Sequence, residues 1–387
     1  MRFRGTIVVV GDLHMAAGDR DPFREDAAFA AFLAAQARRR DAAGRPLRLV
    51  ILGDLFDFPG TPLRGSPAPD ASEAGALRRL ERIARAHGTV IEALAGFAAG
   101  GGAVDVVAGN HDAELAHPGV QARVRELLGD PPRLVFHPWI LFVPGVLYAE
   151  HGHQHHDVDA FATPLEPWRR DAPGELDLPP GSLLSYRIAA DGRAAGVHRR
   201  AADGALLVRG AVRPRGDATT LRAYRDGPLR RLADDLDLPA EVLRAIDAAT
   251  PRGPAALVAR VARRATEAGR HPSATAHRAA LTIHRALGAA HCAVPFYAFG
   301  HSHVAQRRPL VEGMGTPVYL NAGTWSSLGR RVQPQPLAYV EISGGPAGPL
   351  GRLMHWSGEG RAVTGTAGSR PRRAADPSGR ALAPRSP

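Results

Sequence analysis

Asp12 and His14 stand two residues apart directly behind an apolar run at 6–10. A buried strand that ends in Gly11 and then Asp-x-His presents a carboxylate and an imidazole together, which is half of a metal site. The pattern returns down the chain. Residues 47–52 lead into Gly53-Asp54-Leu55-Phe56-Asp57, and 104–108 into Gly109-Asn110-His111-Asp112. Residues 146–149 lead into Glu150-His151-Gly152-His153, and 295–299 into Gly300-His301-Ser302-His303. Together Asp12, His14, Asp54, Asn110, His111, His151, His301 and His303 supply carboxylate, amide and imidazole donors without a thiolate. Such a set suits Mn, Fe or Zn better than Ca or Mg, which prefer shells of oxygen alone. It is too large for one ion and about right for two, with Asp54 the natural bridging carboxylate. Two ions roughly 3.5–4 Å apart hold an attacking hydroxide and the oxygens of a phosphoryl group. Hydrolysis at phosphorus is therefore the chemistry these residues could perform.

Strands must carry these turns and helices must separate them. Apolar residues at helical spacing predict a helix over 22–40, opened by Pro22. A long helix is expected over 73–99, with Gly88 a point of interruption, and a short one over 118–129. Strands are expected at 5–11, 47–52, 104–108, 134–136, 140–143, 146–149, 295–299, 317–320 and 337–342. Residues 59–70 read as a Pro- and Gly-rich loop. Ligands in open α/β sheets gather at the carboxyl ends of strands, and this chain follows that rule four times by residue 153.

The fold class is α/β, with a core over 1–153 and 295–357 and an insertion over 154–294. The insertion reads as loops, then helices at 228–247, 254–268 and 274–290, and is a possible lid or cap. Its stretch 187–231 holds 11 Arg against 4 Asp, which reads first as a solvated surface. The last residues, 358–387, are Gly, Ala, Arg, Pro and Ser and are expected to be a disordered basic tail.

The chain has 387 residues and a formal charge of +11, and all its Lys+Arg content is arginine. That balance favours anionic partners. No basic patch interleaves with aromatics, so nucleic acid is the weakest of them. Cys292 is the single cysteine, which excludes an internal disulfide and a cysteine-based zinc site. No leader and no stretch of 18 uninterrupted apolar residues is read. A cytoplasmic protein is expected, with peripheral contact at an anionic membrane surface as a further expectation and no obligate protein partner.

The five blocks, in their order, resemble the calcineurin-like metallophosphoesterases, whose signature runs D-x-H, GD, GNH followed by D or E, H, and GHxH. The resemblance covers 5–153 and 295–343. It implies a four-layer α/β/β/α sandwich with the metals at the strand-end rim. It implies one ion on Asp12, His14, Asp54 and His303, and a second on Asp54, Asn110, His151 and His301. A hydroxide bridging them would attack phosphorus in line, on a phosphomonoester or phosphodiester. His111 would contact the phosphate and protonate the leaving oxygen, with Asp112 orienting its ring. Asn110 and His153 would also reach substrate. Manganese is the first expectation for the ions, with Fe or Zn compatible. The long stretch between His151 and His301 is similar to that of the bacterial UDP-2,3-diacylglucosamine pyrophosphatase branch, in which a helical insertion covers acyl chains. A scaffold that kept the fold and lost catalysis would lack ligands, and none is missing.

Other residues invite blander readings. Asp57 and Glu150 flank ligands and could orient a ring as Asp112 would, but read first as solvated acids. His155 and His156 read as solvated loop residues. His277, His284 and His291 repeat every seven residues without carboxylates, which points to packing rather than a metal stripe. The segment from Asn321 to Ser327, with Trp325, is expected to pack a turn at the edge of the site.

Overall fold

The computed structural model describes residues 3–186 and 272–358, apart from 20, 42, 64–69, 157–158, 180, 184, 314–315, 329–336 and 346–347. The arginine-rich stretch, the expected helices at 228–247 and 254–268, and the tail at 359–387 lie outside the described residues.

The first half alternates strand and helix: β1 (Thr6–Val10), α1 (Asp26–Arg38), β2 (Arg48–Leu52), α2 (Glu73–Ala86), α3 (Gly88–Ala99), β3 (Ala103–Val107), α4 (Pro118–Leu127) and β4 (Leu134–His137). Then come β5 (Ile140–Val143), β6 (Leu147–Glu150), α5 (Pro272–Ala289), β7 (Phe296–Phe299), β8 (Gln306–Pro309), β9 (Val318–Asn321), β10 (Ala338–Gly345) and β11 (Gly348–His355). The strands form two mixed sheets, ordered β11-β10-β1-β2-β3-β4 and β5-β6-β7-β9-β8. In the first, β1 through β4 run parallel. In the second, β6, β7 and β9 run parallel.

Strand periodicity explains the packing. Along β1, Ile7 and Val9 join one buried cluster while Val8 and Val10 join another. The Ile7 and Val9 face meets Val50, Leu52 and Val107 together with Leu147, Ala149, Phe296, Ala298 and Leu320 of the second sheet. The Val8 and Val10 face meets Phe29, Phe32 and Leu33 of α1, Leu80 and Ile83 of α2, and Leu94 and Phe97 of α3. Each such apolar side chain contributes roughly 1.5–3 kcal/mol when fully buried. Tyr148, Tyr297, Phe299 and Tyr319 form a third cluster with Ala276 and Ala280 of α5. The last helix of the expected insertion thus covers the second sheet.

Some boundaries differ from the sequence reading. The helix expected over 73–99 is two, divided at His87. The His87 ring turns away from both helices and holds Asp26 and the carbonyl of Ala16. α2 opens on Ser72, whose hydroxyl accepts from the Gly75 N–H at 3.1 Å. β8 and β11 were not expected; β8 is a mostly exposed, polar edge strand. No helix among the described residues is long and apolar enough to cross a membrane.

Candidate metal centre

Parallel pairing brings the site loops to one rim. Beyond the ends of β1 and β2 the two loops stay zipped: Asp12 N donates to Gly53 O at 3.1 Å, His14 N to Asp54 O at 2.8 Å and Asp57 N to Met15 O at 2.7 Å. In the second sheet Gly300 N donates to His151 O at 2.9 Å. The two sheets are joined at Asp12. The His301 N–H donates to both Asp12 carboxylate oxygens at 3.1 Å, and the Thr324 hydroxyl donates to the Asp12 carbonyl at 2.6 Å.

These turns are strained in one place. Asp12, His14, Asp54, His301 and His303 all have φ between 53° and 62°, a left-handed region that ordinary side chains avoid. Five candidate ligands held there together mark a functional site, since such strain survives only where the surroundings overdetermine it. Glycines make the approach close. A Cβ on Gly109 would lie 2.7 Å from the Asp54 backbone nitrogen, and one on Gly53 would overlap the His151 ring.

The donors converge. His14 Nε2 and His303 Nε2 face each other at 3.0 Å, with Asp12 Oδ1 at 3.2 Å from the latter and 4.0 Å from the former. Asp54 Oδ2 lies 3.4 Å from His14 Nε2 and 3.2 Å from His151 Nε2. Asp12, Asp54 and His151 form a second group whose donor atoms lie within 4.8 Å of one another. All of these residues are buried.

The residues fit metal ions. Among the described residues the buried Asn110 amide oxygen has no hydrogen-bond partner, and His151 Nε2 faces Asp54 without hydrogen-bond geometry. Such orphaned donors are costly unless something else binds them. Burial lowers the pKa of His14 well below its ordinary value, against the pull of Asp54. Burial likewise keeps His301 neutral, helped by His151 and His156. Neutral imidazoles are the form that binds metal. Burial also lowers the His151 pKa, but Asp54 and Asp12 outweigh it and raise the group to about 10. That spot favours positive charge.

Several expectations are corrected. Asp112 does not orient the His111 ring. Its carboxylate accepts from the backbone N–H of Gly109 at 2.6 Å and of Leu55 at 2.8 Å, tying two site loops together. Burial and the Asp54 charge raise its pKa to about 7. The His111 ring is held instead by Asp57, with Nδ1 at 3.0 Å from Oδ1, and it stands edge-on to His14 with centroids 4.7 Å apart. Asp57 and Glu150 are buried rather than solvated. Glu150 bridges His155 at 2.5 Å and the Trp139 indole N–H at 2.8 Å. His156 is no solvated loop residue: its Nδ1 lies 2.5 Å from Asp159 Oδ2, and His301 Nε2 lies 3.5 Å from each. His301 therefore groups with His156 and Asp159, since the buried Asp159 carboxylate draws both rings. His153 is buried beside His151, with ring centroids 5.4 Å apart. His277 packs edge-on to Tyr319 and His284 meets the Tyr297 hydroxyl at 3.0 Å, as the packing reading expects. The segment from Asn321 to Ser327 packs at the edge of the site as expected: Trp325 N and the Thr324 hydroxyl donate to the Asp12 carbonyl, while the Trp325 ring is fully buried against Phe29 and Phe32. Asp159 carried no sequence signal of its own.

No family model and no curated protein matches the chain. Among solved structures, the phosphopantetheinyl hydrolase PptH of Mycobacterium tuberculosis matches 86% of this chain and 94% of that one, at 11% identity and a TM-score of 0.28. A likeness at that score carries no weight beside the geometry of the site itself.

Proposed function

We propose that the chain is a phosphoesterase that uses two divalent metal ions to hydrolyse a phosphomonoester or phosphodiester. One observation carries the reading. A single carboxylate oxygen, Asp54 Oδ2, stands 3.4 Å from an imidazole nitrogen of the first sheet's site loop and 3.2 Å from one of the second's. That placement supports a bridging role for Asp54. Asp12, His14, Asp54 and His303 would hold one ion; Asp54, Asn110 and His151 would hold the other, with His301, which here lies against His156 and Asp159, as its further candidate. Manganese suits this oxygen and nitrogen set, and Fe or Zn are compatible. The ions would supply an activated water and take up charge on the phosphoryl oxygens.

The chain's own residues do the rest. Asp57 holds the His111 ring at the rim, where it can bind a phosphoryl oxygen and give a proton to the leaving oxygen. Asp112 keeps the Gly109 and Leu55 loops in register so that Asn110 and His111 stay aimed. Burial excludes bulk water and strengthens every charge interaction within the site. The layered arrangement supports the same reading. The three successive apolar clusters fit an α/β/β/α sandwich with α1 through α4 on one side and α5 on the other.

The test is hydrolysis of p-nitrophenyl phosphate and bis-p-nitrophenyl phosphate by the Mn²⁺-loaded protein. Wild type should turn over at least one of them, and Asp54→Ala should abolish it. Wild type no faster than Asp54→Ala across a broad phosphoester panel contradicts the reading.

A further inference from the structure

Beside the metal centre the structure has an apolar cleft of about 240 Å³. One wall is the end of β3 and β4, with Gly109 and Phe136. The other is the chain from 161 to 168, with Phe161, Leu165 and Trp168. That second wall is braced. Phe161 N donates to Gln154 Oε1 at 3.1 Å, Trp168 pairs with Leu176 as a β-bridge, and its indole packs on the His117 ring with centroids 5.1 Å apart.

His153 connects cleft and centre. It lines the cleft, stands edge-on to Phe161 at 5.8 Å between centroids, and lies 6.4 Å from the His301 ring. It is 3% exposed, yet its Nδ1 has no hydrogen-bond partner among the described residues. Leu165, at the mouth, is an apolar side chain 65% exposed. Among the described residues, no arginine and no carboxylate lines the cleft. A second phosphate or a sugar would therefore find few partners there, while an apolar group would lose its water contact on both faces. An apolar cavity of about 150 Å³ takes up benzene, so this one has room for a bicyclic ring.

We propose that this cleft seats the alcohol side of the substrate: a phosphoester whose leaving group carries a compact, uncharged, bicyclic-sized apolar moiety, flanked by Trp168, Phe161 and Phe136, with His153 at its phosphate end. This deepens the phosphoesterase reading and rests on it.

The experiment has two arms on the full-length protein. The first compares kcat/KM of the Mn²⁺-loaded protein for 2-naphthylmethyl phosphate and ethyl phosphate, each also as its ethyl diester. Both are esters of primary alcohols, so leaving-group acidity does not decide the outcome. The naphthylmethyl ester should be favoured about tenfold or more. Leu165→Asp, at an exposed position that does not threaten folding, should reduce that ratio toward one, and Trp168→Ala should do the same. The second arm measures binding of 2-naphthylmethanol to the metal-free protein by calorimetry, with weaker binding expected in both variants. Equal hydrolysis of both esters with no binding of the alcohol overturns the cleft assignment and leaves the phosphoesterase standing. Variant-sensitive binding without hydrolysis of any ester keeps the apolar site and overturns the phosphoesterase reading. Neither binding nor hydrolysis overturns both.

Discussion

His14 and His303, 289 residues apart in the chain, bring their Nε2 atoms to 3.0 Å at full burial. Two imidazoles in that position gain at most one hydrogen bond between them, whereas a cation shared with Asp12 would engage both. The contact also ties the loop after β1 to the loop after β7, so an ion there would clamp the two sheets. Chelation should therefore lower stability. Ligand at about a hundred times its dissociation constant contributes roughly 2.7 kcal/mol, or about 3–5 °C in a protein of this size. Differential scanning calorimetry with and without EDTA should show that drop, reversed by Mn²⁺, and His303→Ala should respond less to EDTA than wild type.

The partner of His111 sets a second expectation. Asp57, at 3.0 Å from Nδ1, positions the ring, while Asp112 bonds only to backbone N–H groups in the contacts resolved around it. Asp57→Asn should lower kcat about tenfold to a hundredfold with bound metal unchanged, since a misplaced proton donor costs about that much. Its pH–rate profile should also lose or shift its basic limb. Asp112→Asn should instead lower thermal stability along with activity. The reverse pattern would restore Asp112 as the residue that orients His111.

Most candidate ligands could be read because each follows an apolar strand within four residues, so local pattern alone reports them. Asp57 was visible but ambiguous, because an acid past a strand end is usually solvated, and only the return of the 109–112 loop buries it. Asp159 and His156 could not be read, because their meeting with His301 spans 145 residues and no local spacing encodes it. The pairing of parallel β1 through β4 followed from strand–helix alternation. β8 and β11 did not, as Gln306–Pro309 has no apolar alternation and Gly348–His355 opens on glycine and proline. Trp325 sits too far from any periodic segment for its place among the α1 aromatics to be anticipated.

His87 gives a pH-dependent prediction away from the metals. Its ring is buried against Phe23 and faces Asp26 at 2.7 Å, Asp21 at 3.2 Å and the Ala16 carbonyl at 2.8 Å. Burial lowers its pKa, but the two carboxylates outweigh that and raise it to about 9. The folded value exceeds the unfolded one, so protonated His87 contributes stability that is fully present below about pH 6.5 and lost as pH rises through 9. The shift corresponds to about 3 kcal/mol. Urea denaturation should find His87→Gln destabilised by about that much more at pH 6 than at pH 9.5. An equal loss at both values would remove the ion-pair account.

The most direct test of the central claim counts metals. If Asp54 bridges the two ions while Asp12 serves chiefly the His14 and His303 side, the variants must differ in stoichiometry. Metal content of Mn²⁺-loaded, desalted protein should be about two per chain in wild type, about one in Asp12→Ala, and near zero in Asp54→Ala. Equal losses in the two variants, or one ion in wild type, would contradict a centre built around Asp54.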